Sequence, residues 1–288
     1  MRSIFHSPIH QQQFELDGFI LVPGFLNADE IRALTANYYS LRGISDVGEG
    51  FHSTSHSKNL DYKHGVDRYI RDIYMPKVNQ LIRDYQPMVA NYTVKEPGEA
   101  SFFDFHLDWT MVNERKHTSL TIWAPLVDVN AENGNLWVMR GSHKMGYTIR
   151  GGSGLFLFGS NEVKRPLELQ YEKVAMAVKA GTAVIYDHRL FHGSPPNLSG
   201  ERRLAINQTL RPAETASWHY HQLNESLLEV FEVDDDFYCR YDMGTRPADV
   251  KSLGTLRIEP RYLQQQEVNR LIRTESQYRG EGENREIL

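Results

Sequence analysis

The stretch FHLDW carries His106 and Asp108 two positions apart, in a run that reads as a β-strand. Side chains at i and i+2 leave a strand on the same face, so an imidazole and a carboxylate are presented together. Two such groups supply two corners of a metal site. A histidine from a later strand would complete the 2-His-1-carboxylate facial triad, which leaves open positions on non-haem Fe(II). HxD by itself is a weak signal, because it also occurs by chance on ordinary strands.

A second stretch, YDHRLFHGSPPNLSGERRLAIN over residues 186–207, offers what the first lacks. It holds two candidate ligands, His188 and His192, and two candidate anion clamps, Arg202 and Arg203. The planar fork of arginine binds a carboxylate bidentately, as a dicarboxylate cosubstrate of iron would require. A strand–turn–strand over these residues would set one histidine beside one arginine. Strand parity does not separate His188 from His192, which share a face.

The elements that must position these residues follow from the hydrophobic period. GFILVPGFL (18–26) reads as a short strand. NADEIRALTANYYSL opens with Asn27 as N-cap and has acids in its first turn, which predicts a helix. DRYIRDIYMPKVNQLIRDYQ predicts a second helix, kinked or restarted at Pro76. From Pro87 the period changes to two, with β-branched and aromatic residues dominant. MVANYTVKEPG, ASFFDFHLDWTMV, HTSLTIWAPLVDV, GNLWVMRGSH, EKVAMAVKAGTAVIYDH and ERRLAINQTLRP each read as strands, separated by turn signals. Strands at this density predict an antiparallel barrel or sandwich with a helical N-terminal flank. The tail after Pro212 reads as mixed, with a helix over 260–277 and a frayed end. With no internal repeat and no dividing linker, residues 1–288 read as one domain.

With 288 residues, 40% hydrophobic and 24% charged, the chain is long enough to bury a large core. A formal charge of -5 provides no basic field for nucleic acid or anionic lipid. Cys239 is the single cysteine, which excludes an intrachain disulfide. No apolar run reaches membrane-spanning length, and the first residues lack a signal-peptide core. The expectation is a soluble, cytoplasmic protein.

Four segments in order, QFELDGFILVPGFL, FHLDW, ENGNLWVMRGSHK and FHGSPPNLSGERR, resemble the successive signatures of the phytanoyl-CoA dioxygenase family. The resemblance runs from about Gln13 to Arg211. It implies a double-stranded β-helix, that is, a cupin-like jelly-roll barrel that is mainly β with flanking helices. It also implies Fe(II), 2-oxoglutarate and O2 as reagents, with succinate and CO2 released. By the same resemblance His106, Asp108 and His192 are the metal ligands and Arg203 binds 2-oxoglutarate. Ser194 assists at that carboxylate, and Asn91 and Trp123 match further positions of the cosubstrate pocket. His188 matches no ligand position. The presence of Asp108 favours hydroxylation, since related halogenases lack this carboxylate, though desaturation, ring formation or epoxidation use the same ligands. Periodicity adds independent support: with Arg203 facing the pocket, Ala205 and Asn207 follow it, while Leu204, Ile206 and Leu210 bury on the opposite side.

The substrate expected is a small molecule, a compact specialised metabolite, because no basic cluster announces a CoA pocket. Three other readings compete: a non-catalytic metal- or ligand-binding barrel, an acyl-CoA or lipid hydroxylase, and a cupin-like enzyme of another metal in which Arg203 is dispensable. Elsewhere the bland readings are preferred. His52, His56 and His64 read as an active-site flap or solvated loop rather than a second metal site. GGSGLFLFGS lacks the Lys-Ser/Thr of a P-loop and reads as a loop near the pocket mouth. WHYHQ (218–222) either lines the pocket or packs as a surface segment. EVDDDF lacks the spaced ligands and glycine of a calcium loop. Cys239 reads as a small packed hydrophobe.

Overall fold

The computed structural model describes residues 2–41, 49–145, 149–152 and 173–258. The helix expected over 260–277, the frayed end and residues 153–160 of the glycine-rich loop lie outside them. The helical flank comprises α1 (Pro8–Asp17), α2 (Ala28–Ser40) and α3 (Leu60–Leu81). The strands are β1 (Phe19–Val22), β2 (Phe51–Ser53), β3 (Tyr85–Lys95), β4 (Phe103–His106), β5 (Leu120–Pro125), β6 (Leu136–Met139) and β7 (Lys173–Met176). They continue with β8 (Ala183–Asp187), β9 (His192–Ser194), β10 (Arg203–Pro212), β11 (Ser217–Asn224), β12 (Leu227–Val233) and β13 (Ser252–Arg257).

Strict alternation in the long strands builds a two-layer β core. One sheet runs β1-β8-β5-β10-β3-β2 and a second runs β4-β9-β6-β7, with every pairing antiparallel. On β10 the residues Leu204, Ile206 and Leu210 join Tyr92 and Val94 of β3 and Leu120, Ile122 and Ala124 of β5 in a buried cluster. Leu34 and Tyr38 of α2, with Val66, Ile70, Tyr74 and Val78 of α3, cover that face. The opposite parity, Trp123, Val184, Tyr186 and Ala205, packs instead against Leu136, Val138 and Met176 of the second sheet. Each central strand is thus buried on both faces, by helices outside and by the facing sheet inside. This is the jelly-roll arrangement expected.

The helices depart from expectation in informative ways. α1 was not foreseen, because PIHQQQFELD buries only Phe14 and Asp17 and so shows no apolar stripe. Its ends are nevertheless well determined. Ser7 caps the His10 amide, Pro8 occupies the first turn, and Gly18 closes the helix at φ 82° with its amide on the Phe14 carbonyl. Asn27 forms the predicted start of α2, completed by Glu30 as a capping box, worth about 1 kcal/mol. α3 begins at Leu60, seven residues before the expected start at Asp67, with Asn59 accepting from the Tyr62 amide. Pro76 lies inside α3 without ending it; Ile70, Tyr74 and Val78 keep the stripe seated on the sheet across the lost hydrogen bond.

Three other expectations are corrected. The histidine run from 51 onward is not a loop or flap: it forms β2, a 3-10 turn over Thr54–His56, and the start of α3. β2 pairs with β3 through Phe51↔Lys95 and Ser53↔Thr93, which is what orders it. The FHLDW strand ends at His106, so Asp108 lies beyond the ladder. After Pro212, where the sequence reads as mixed, the chain forms a third sheet, β11-β12-β13.

Candidate active site

A cavity of about 720 Å³ opens between the two main sheets, lined by His106, Asp108, His192, Arg203, Ser194, Asn91 and Trp123, and by His188, but not by Arg202. β4 and β9 pair antiparallel with His106 directly opposite His192, which brings the imidazole centroids to 4.2 Å. Gly193 permits that approach. A Cβ there would meet the Phe103 carbonyl and the Phe105 amide at 3.0 Å. Asp108 Oδ1 lies 3.7 Å from His192 Nε2 and 4.0 Å from His106 Nε2. Among the described residues, these three form one of two groups whose His, Cys, Asp or Glu atoms converge closely enough for a metal ion.

The tautomers are set by the backbone. His106 Nδ1 lies 2.9 Å from the Asp104 carbonyl and His192 Nδ1 lies 2.9 Å from the Leu190 carbonyl, so each Nδ1–H donates and each Nε2 lone pair faces Asp108. Burial, with His192 beside it, pushes His106 down to about 4, which keeps its ring neutral. Burial would raise the Asp108 carboxyl, yet the imidazoles of His192, His188 and His106 and the Thr121 hydroxyl hold it below the usual range. Thr121 Oγ1 donates to Asp108 Oδ2 at 3.0 Å. Two neutral nitrogens and one carboxylate, all deprotonated at their free atoms, are a donor set for a divalent cation.

His188 is differently placed. Its Nδ1 is within 3.0 Å of Ser119 Oγ and its Nε2 within 3.0 Å of Thr121 Oγ1, so both nitrogens are held by hydroxyls, although Nε2 also lies 3.9 Å from Asp108 Oδ2. The two arginines also divide. Arg202 turns outward, bonding Glu96 Oε1 through Nε at 2.7 Å and lying over Tyr38 and Tyr39. Arg203 turns inward and is 3% exposed, with Nε and Nη1 buried and lacking any hydrogen-bond partner. Burial alone pushes it down to about 9. A buried guanidinium without an anion is strongly unfavourable, so the pocket is built for an acid that arrives from outside. Trp123 stacks under it, 5.6 Å from the ring centroid. Ser194 and Asn91 line the same cavity, and Asn91 Oδ1 accepts from Ser53 Oγ at 3.0 Å.

A sequence profile of phytanoyl-CoA dioxygenases matches residues 14–205, two thirds of the chain. The protein belongs to the phytanoyl-CoA dioxygenase family. Membership makes this oxygenase a 2-oxoglutarate-dependent dioxygenase that uses Fe(II), 2-oxoglutarate and O2. Phytanoyl-CoA dioxygenase of Arabidopsis thaliana is 29% identical over 258 residues, covering 71% of this chain and 88% of that one. A mouse phytanoyl-CoA dioxygenase domain-containing protein is 25% identical over 272 residues, covering 74% and 92%. Among solved structures, the carbocyclase SnoK of nogalamycin biosynthesis superposes with TM-score 0.54 at 18% identity, over 73% of this chain and 86% of that one. HygX of Streptomyces hygroscopicus, solved with nickel and 2-oxoglutarate, gives 0.52 at 14% identity over 72% and 88%. At such identities the superpositions establish the fold, a cupin-like jelly roll.

Several groups of the oxygenase's site were not named from sequence. Lys95, opposite Arg203 in the β3–β10 register, is fully buried and donates to the carbonyls of Ser101 and, at 2.6 Å, Pro195. Burial, with Arg203 nearby, pushes its ammonium down to about 6. Its odd position on β3, shared with Asn91, was the available signal. Thr121 shares parity with Trp123 in the same way. Phe51, Ser53, Ser55, His56 and Lys58 bring the former flap region to the cavity wall. The WHYHQ segment belongs to β11 and does not line the cavity; His219 packs on Phe231 and Phe237. Asp235 pairs with Arg211 and Asp234 with Arg240. His64 Nε2 lies 2.9 Å from Asp236 Oδ1 beside buried Cys239, the second converging group. Burial, with the Asp67 carboxylate nearby, pushes that thiol up to about 12, which disfavours the thiolate a metal would need.

Proposed function

We propose that His106, Asp108 and His192 hold the iron, that Arg203 and Ser194 hold the far carboxylate of 2-oxoglutarate with Asn91 and Trp123 lining its pocket, and that the enzyme hydroxylates an unactivated C–H bond of a small molecule. The single observation that carries this reading is the orphaned guanidinium of Arg203 in the same cavity as the three converging ligand atoms. A binding barrel without chemistry, or a cupin-like enzyme that needs no dicarboxylate, gives no reason to bury an unpaired arginine there. Bound iron and 2-oxoglutarate supply the oxidising chemistry, with O2 as oxidant and succinate and CO2 as products.

The chain's own part is to bind, orient and exclude water. Arg203 supplies a fork for a carboxylate, and the Trp123 ring lies against the guanidinium. Backbone acceptors hold Nδ1 of both imidazoles, which leaves Nε2 of each as the nitrogen that faces the metal. Phe51 and Phe103 stack at 4.1 Å, and Phe103 meets the His106 ring edge-on at 4.4 Å, a dry aromatic wall on one side of the cluster.

At the mouth, Lys58 bonds Asp242 at 2.6 Å, so its charge is already matched. That favours a neutral, compact substrate over a phosphate-rich acyl-CoA. A specialised metabolite is the class we infer; SnoK, of similar fold, comes from nogalamycin biosynthesis. We take residues 1–288 as one oxygenase domain working in the cytoplasm, where Cys239 stands as a free buried thiol. Among the described residues no helix is long and apolar enough to cross a membrane. The test is a substrate screen scored by succinate release. Release that depends on a small neutral substrate and disappears in Arg203→Ala supports the reading; release stimulated only by acyl-CoA esters replaces it with the lipid alternative.

A further inference from the structure

Asp108 lies two residues past the end of β4, so no strand ladder fixes its backbone. Its amide instead donates to the His188 carbonyl at 3.1 Å, and its carbonyl accepts from Arg150 Nε at 2.9 Å. The same guanidinium reaches the His188 carbonyl through Nη2 at 3.4 Å. One side chain thus spans the backbone of Asp108 and the turn that leads to His192. Glu114 grips its far edge with two 2.8 Å bonds, and the two side chains are 2% and 5% exposed. The Arg150 amide also donates to Thr110 Oγ1, tying its own backbone to the same segment.

We propose that Arg150, locked by Glu114, is the positioning residue that holds the Asp108 carboxylate against His106 and His192. The inference rests on the reading of Asp108 as an iron ligand. A buried ion pair is a poor device for stability, since apolar residues of similar volume often do as well or better. What Glu114 and Arg150 supply that apolar residues cannot is a charge-balanced fork with donors aimed at two carbonyls. It does for Asp108 what strand pairing does for His106 and His192. Outer partners of metal ligands generally act by fixing ligand orientation, and their loss weakens metal binding about 10- to 100-fold.

The test uses the full chain with Fe(II) and 2-oxoglutarate added anaerobically. Arg150→Met combined with Glu114→Met keeps charge balance and approximate volume. We expect a cooperative melt close to the native one, Fe(II) affinity reduced about 10- to 100-fold, and a shifted or broadened charge-transfer band. If the folded double variant binds Fe(II) as tightly as the native chain with an unmoved band, the proposal is overturned. Should that variant fail to fold, Arg150→Lys carries the test. Lysine keeps the charge opposite Glu114 but cannot span both carbonyls, and unchanged affinity and band there are equally fatal. Asp108→Ala separates the two claims. If it retains native iron affinity, the ligand reading fails whatever Arg150 does; if it loses iron while the Arg150 variants do not, only the positioning role fails.

Discussion

Between His192 and His188 the difference is which ring nitrogen remains unused. Both are buried, both line the cavity and both share strand parity, so sequence alternation could not choose. His192 spends Nδ1 on the Leu190 carbonyl and turns Nε2 to Asp108, whereas His188 spends both nitrogens on Ser119 and Thr121. The arginines were more legible, because alternation along β10 forces neighbours to opposite faces: Arg202 meets Glu96 outside and Arg203 meets the cavity. Arg203→Ala should therefore raise the KM for 2-oxoglutarate by about 10- to 100-fold, the worth of charged hydrogen bonds of about 1.5–3 kcal/mol. Arg202→Ala should leave it within about twofold, since an outer ion pair is worth only about 0–1 kcal/mol. Steady-state 2-oxoglutarate kinetics on both variants measure this directly. Arg150 was illegible for a plain reason: its partners, Asp108 and Glu114, lie 42 and 36 positions away, and nothing local marks it.

Elements written in a clean period were readable, and those fixed by tertiary contact were not. β5, β8 and β10 alternate cleanly, and β3 does so except at a register shift beside Met88, so most of their two faces could be assigned before any contact was known. α1 offers a single buried aromatic and α3 opens on a polar stretch with Gly65, so propensity and stripe both understate them. β2 exists only because β3 lends it a ladder. β9 is only three residues long, yet it carries His192 and pairs with β4 on one side and β6 on the other. Its closeness to β4 depends on the missing side chain at Gly193. Gly193→Ala should lower stability by about 1–3 kcal/mol through overpacking against backbone and weaken Fe(II) binding by displacing His192. A urea midpoint and an anaerobic iron titration report the two effects; unchanged values in both would mean that β9 is not held as described.

For the molecule as a whole, the histidines outside the cluster set an acid limit. Burial pushes His143 and His219 down to about 4 in the folded protein, while an unfolded histidine titrates near 6.5. Between those values the unfolded chain binds more protons than the folded one. The contribution of these two histidines is therefore full above about pH 6.5 and is lost as pH falls towards 4. The apo-protein's melting temperature should fall steadily as pH drops below about 6.5, on top of the rise above about pH 6 that the depressed Lys95 ammonium imposes. His219→Phe, which removes one of these groups from a pocket of aromatic rings, should flatten that slope; an equal slope in the variant would contradict the assignment. The larger claim is that one cavity between two sheets gathers a divalent-metal triad and an unpaired cation for a dicarboxylate. Anaerobic titration with Fe(II) and 2-oxoglutarate, followed by the visible metal-to-ligand charge-transfer band, tests it most directly on the native chain, His192→Ala and His188→Ala. The account predicts a band in the native chain that survives in His188→Ala and vanishes in His192→Ala. A band that survives the loss of His192 but not of His188, or no band in the native chain, would contradict it.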